Sequence, residues 1–152
     1  MNAESLGQPD YIFGIFANPA MLMVRADQVM KSVPPYVAYW VIWLLLIGAS
    51  ALLLAYWFRE ARYVALAYIG GIGAGLIMPR IIGAENYVYG SISVAHVIFW
   101  TPAVIAIYLR RSHIKFASAY GAWVTAALAT MTFSLIVDWK DAISYLGIVL
   151  IA

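Results

Sequence analysis

From Tyr36 to Phe58 the chain runs through VAYWVIWLLLIGASALLLAYW without one charged side chain. About 20 mostly apolar residues carry a helix across roughly 30 Å of hydrocarbon. A run of this length and purity could stay in water only if the rest of the chain covered it. The rest offers no cover. Of 152 residues, 65% are hydrophobic and 11% charged, and the mean hydropathy is +0.88. A soluble domain carries about 25% charge, so too few polar groups remain here to coat a globule. The composition points to an all-α, polytopic integral membrane protein. It excludes disorder, collagen, a coiled coil and nucleic-acid binding.

Three further stretches are apolar enough to cross. One runs from Tyr63 past Met78 and over Pro79-Arg80 to Ile82. Another covers residues 91–109 and contains His96 and Pro102, and the last covers 116–137. The spans 36–58, 63–82, 91–109 and 116–137 are expected to form a four-helix bundle of two antiparallel hairpins within residues 35–140. Tyr36, Tyr39 and Trp40 open the first span and Tyr56 with Trp57 close it, as aromatic rings do at headgroup level. Charge placement gives the orientation. Arg59, Arg62, Arg110, Arg111 and Lys115 crowd two tight turns, whereas Arg25, Lys31, Arg80 and Lys140 are spread over longer segments. The positive-inside rule then puts turns 59–62 and 110–115 in the cytoplasm and both termini outside, in a membrane of the bacterial inner-membrane type.

The flanks differ from the bundle. Glu4 and the lack of Lys or Arg among the first residues argue against a signal peptide. Asn18 suits an N-cap and Pro19 the first helical position. A helix over about 19–32 would mix Met, Leu and Val with Arg25, Asp27, Gln28 and Lys31, and Pro34-Pro35 would stop it. Residues 1–34 are thus expected to hold an amphipathic helix, lying in the interface or packed on the bundle. Residues 141–152 are an apolar tail too short to cross. They continue the fourth helix, lie in the interface, or dock onto another subunit.

His96 is the one ionisable residue well inside a span. With Tyr89, Ser93 and Trp100 it falls on one face of the third helix. An intramembrane ionisable group is a functional candidate by default, although a neighbouring hydroxyl or carbonyl can satisfy a lone histidine. On the fourth helix Thr130, Ser134 and Asp138 step by four. Antiparallel pairing brings Ser134 near the depth of His96, with Asp138 above it and Glu85 and Arg80 supplied by the adjoining loop. This candidate polar cluster of His96, Ser134, Asp138, Glu85 and Arg80 could be a proton relay, an ion or ligand mouth, or an ion-pair network. In the plainer reading Asp138, Lys140 and Asp141 are headgroup-level charges.

Ala67, Gly71 and Gly75 form a smooth stripe on the second span, beside Gly70, Gly73 and Ala74. Such a stripe lets another helix approach closely. A phosphate cradle would need exposed amides that a helix has already bonded. Pro102 frees the carbonyl near Ile98, and Thr101 is the expected local partner.

Cofactor chemistry has little to work with. No cysteine is present, only two histidines occur, and His113 belongs to the opposite turn. No metal site and no cofactor are therefore expected, and His96 is the one candidate axial ligand for haem or chlorophyll, with Trp100 packing on the ring. His113 itself serves as topogenic charge or as an anionic-lipid contact. No HExxH, GxSxG or P-loop motif is present, and no catalytic residue is assigned.

Three functions remain open. The leading one is a non-catalytic accessory or scaffold subunit of a membrane assembly, since no ionisable residue lies near the midplane of any span. The second is a small homo-oligomeric transporter or channel with an outer-face site at His96 and Asp138. The third is a membrane enzyme or pigment binder using His96. Expected partners are the lipid bilayer and either other subunits or further copies of the chain.

Overall fold

In hydrocarbon a lone segment satisfies its backbone N–H and C=O groups only by coiling into a helix, and the apolar runs do so. The computed structural model of the chain describes residues 35–83 and 87–151. The helix expected within 1–34, and Glu85, lie outside the described residues. Four long helices follow in order: α1 (Pro35–Leu54), α2 (Arg59–Ile82), α3 (Tyr89–Leu109) and α4 (Ala119–Ile151), with a short 3-10 turn at Arg111–His113. All four are long and apolar enough to cross a membrane. The protein is an all-α integral membrane protein.

Local chemistry accounts for the helix ends. Glu60 sits in the first turn of α2, where the helix dipole favours an acid. At its far end α2 passes through Pro79 and stops before Gly83, whose φ of 87° lies in the left-handed region. Glycine enters that region without a Cβ clash and so ends the helix. The Ser118 hydroxyl accepts a hydrogen bond from the Gly121 N–H at 3.0 Å, capping the start of α4.

Two expectations about the helices are sharpened. α3 continues through Pro102 to Leu109, but the Thr101 hydroxyl makes no hydrogen bond among the described residues. Thr101 is therefore not the local partner of the carbonyl that Pro102 frees. The apolar residues after 141 continue α4 to Ile151. That helix of 33 residues is about 50 Å long, well beyond the thickness of the hydrocarbon.

α3 packs extensively on both α2 and α4, and α1 packs less extensively on α2. Long indoles carry α1 onto α4. Trp43 Nε1 donates to Thr130 Oγ1 at 2.9 Å, and Trp123 Nε1 donates to Ser50 Oγ at 2.9 Å. The rings of Trp40 and Phe133 meet edge to face at 5.3 Å. Within this frame Val64, Ile107, Val124, Ala127 and Met131 are 0–1% exposed and form the bundle centre. Much of the remaining apolar surface faces outward, including Tyr39, Leu53, Tyr56 and Trp57 of α1 and the turn after it. In a bilayer that surface meets lipid.

Candidate functional site

His96 is halfway buried on α3, and Asp138 occupies the facing side of α4. The imidazole Nδ1 lies 3.2 Å from Asp138 Oδ2, with the two side chains 25% and 14% exposed. The bond joins the ring to the α4 carboxyl group, one side donating and the other accepting. Asp138 thereby orients the ring, and Nε2 turns toward α2. It lies 3.9 Å from the point where a Cβ on Gly71 would stand.

The ring continues a column of aromatic contacts. His96 stacks on Trp100 with centroids 4.8 Å apart, and Trp100 stacks on Tyr68 at 4.9 Å. Tyr68 in turn presses on Gly48, where an added Cβ would fall 2.6 Å from the ring. Gly48, Tyr68, Trp100, His96 and Asp138 thus cross the bundle from α1 through α2 and α3 to α4. Gly71 lies beside the column, and a Cβ there would meet Trp100 Nε1 at 3.3 Å and His96 Cδ2 at 3.4 Å.

The other residues singled out in the sequence fall at different distances from the pair. Ser134 is buried one turn before Asp138, and its hydroxyl has no hydrogen-bond partner among the described residues. It does not bond His96. The Arg80 guanidinium donates to the Leu76 carbonyl of its own helix at 2.7 Å and is exposed. Ala67 is buried in the core, and Gly75 stands 3.4 Å, measured from its would-be Cβ, from the Tyr87 hydroxyl. Asp141 is buried within the bundle, 1% exposed, with Lys140 Nζ 4.0 Å from its Oδ1.

The surroundings of the pair are short of polar partners. Trp100 Nε1, the Tyr68 hydroxyl and the Ser134 hydroxyl are all buried without a hydrogen bond among the described residues. Each such group costs about 1–3 kcal/mol in a dry interior. Among the described residues no group of three or more His, Cys, Asp or Glu could hold a metal ion. A tetrapyrrole ligated by His96 Nε2 would need the space that α2 occupies at Gly71, so haem or chlorophyll does not fit this arrangement.

A second polar cluster sits at the opposite end, where the sequence places one acid, Glu60, between Arg59 and Arg62. Glu60 is buried. Arg110 Nε donates to its Oε1 at 3.1 Å, and the Tyr120 hydroxyl donates to its Oε2 at 3.2 Å. Phe58 stacks on Tyr120 with centroids 3.7 Å apart. One carboxylate therefore ties the start of α2 to the residue after α3 and to the start of α4. Only the antiparallel order of the helices could have revealed it, since the three residues are far apart in sequence. Compared with known protein families, curated proteins and solved structures, the chain matches none.

Proposed function

We propose that this chain is a non-catalytic integral membrane protein that serves as an accessory or scaffold subunit of a membrane assembly. The observation that carries this reading is that, among the described residues, no charged side chain lies on the helices between the two polar clusters. Val64, Ile107 and Val124, one turn from the Glu60 cluster, and Ala127 and Met131 beyond them are fully buried apolar residues. A channel or pump needs a polar path through the bilayer, and an enzyme needs an activated group beside an oriented base or metal. Here the charged groups join helices to one another instead. The exposed apolar and aromatic surface of α1 suits a partner helix as well as it suits lipid. In this reading the arginine turns face the cytoplasm of a bacterial-type inner membrane and both termini lie outside.

Extraction in mild detergent followed by native mass measurement tests the proposal. Co-isolation with different subunits is the expected result, and a lone monomer refutes it. One observation favours a second reading. The His96–Asp138 pair is partly exposed while hydroxyl and indole groups behind it lack partners among the described residues, as a binding site in a homo-oligomeric transporter would require. Substrate-dependent flux in reconstituted vesicles, abolished by Asp138→Asn, would select that reading over the first.

A further inference from the structure

On its outward face α4 carries an open apolar groove of about 440 Å³, within the range of small-ligand sites. Thr125, Leu128, Ala129, Thr132, Phe133 and Ile136 of α4 line it, together with Phe116 from the turn before that helix. The Thr125 hydroxyl donates to the Gly121 carbonyl at 2.9 Å, so its polar atom is spent within the helix. From Thr125 to Ile136 the groove follows the helix axis for about 16 Å.

One end of the groove is positively charged. Phe116 follows Lys115, which is exposed, and Arg111 is exposed in the same turn. Glu60 is the acid of this end among the described residues, and Arg110 and Tyr120 already occupy its two oxygens. Gly121 holds the turn in place. A Cβ there would collide with the Lys115 carbonyl and the Phe116 Cα, so the turn lies directly on the first turn of α4. The positive end of the α4 dipole adds to the field at the same place.

We propose that this groove binds one acyl chain of an anionic phospholipid whose phosphate is held at Lys115. Apolar lining alone would accept any lipid tail. The cation at its surface end, with no acid among the described residues left to neutralise it, selects a headgroup with net negative charge. The site is separate from the His96–Asp138 pair and does not rest on the subunit reading.

Native mass spectrometry of the purified chain tests this with phosphatidylglycerol, phosphatidylcholine of the same acyl chains, and inorganic phosphate as probes. Retention of phosphatidylglycerol is expected to exceed that of phosphatidylcholine about fivefold, the effect of one surface lysine, with no adduct from phosphate alone. Lys115→Gln should remove most of that preference while both lipids still bind. Ala129→Phe, which puts a ring among the lining residues, should remove both adducts at unchanged helicity by circular dichroism. Should that variant not fold, Thr132→Leu provides a smaller obstruction with the same expected direction. Equal retention of the two lipids by the unmodified chain overturns the proposal, as does phosphate binding without a tail or full lipid retention by a folded groove-filled variant.

Discussion

The two polar clusters of this bundle are built from similar parts and finished differently. At the arginine-turn end both oxygens of Glu60 are engaged, one by a guanidinium and one by a phenol. Three helix ends are held by one carboxylate. At the other end Asp138 bonds His96, and the groups stacked behind that ring, Trp100 and Tyr68, keep polar atoms without partners among the described residues. A completed network makes a rigid joint, and a partly satisfied one leaves room for change. The difference assigns the Glu60 end to holding the bundle and leaves the His96 end able to accept another polar partner.

Removing the core that separates the clusters should have the largest effect. Ile107 is fully buried between them, and Ile107→Ala should cost about 2–4 kcal/mol, read from reversible unfolding in mixed micelles. If the bundle centre is a seal, the same variant should also raise the proton permeability of reconstituted vesicles. Unchanged stability would mean that the two ends are not coupled through this core. Glu60→Gln comes next. It removes the charge from two hydrogen bonds and should destabilise by about 2–3 kcal/mol, and a double-mutant cycle with Arg110→Gln should report strong coupling.

The corresponding change at the other end should be milder. Asp138→Asn, paired with His96→Ala in a cycle, is expected to cost about 1–2 kcal/mol, less than the Glu60 variant in the same assay. A cost equal to or above that of Glu60→Gln would erase the distinction between joint and open site. The glycines provide the finest discrimination. Gly48→Ala should destabilise because Tyr68 is too close to its Cβ, whereas Gly71→Ala should stay within about 1 kcal/mol of the parent. Thermal melts of the two variants side by side decide that ranking.

The four helices were legible because an unbroken apolar run has one solution in a bilayer. Even the passage of α2 over Pro79 could be expected, since Ile81 and Ile82 prolong the apolar pattern. His96 and Asp138 could be placed on facing helices from spacing and antiparallel pairing, and the structure brings them to 3.2 Å. Ser134 could not be resolved in this way. Periodicity gives the face of a helix but not its rotation against a neighbour, and a hydroxyl is too short to bridge a small error. Glu60 was passed over for a related reason. A single acid in an arginine turn counts for little in setting orientation, and its structural role shows only once Arg110 and Tyr120 converge on it.

Sequence by itself determined that this chain belongs in a membrane, how many times it can cross, and that its charges gather at the ends of the crossings. Those properties follow from the cost of burying polar groups in hydrocarbon, which each segment settles alone. Tertiary structure decided which acid meets which base, that Asp141 is buried, and that an aromatic column crosses all four helices from Gly48 to Asp138. These depend on how the helices rotate and approach one another. In a chain this uniformly apolar, that is settled by close packing of glycines against rings rather than by any contrast in hydropathy.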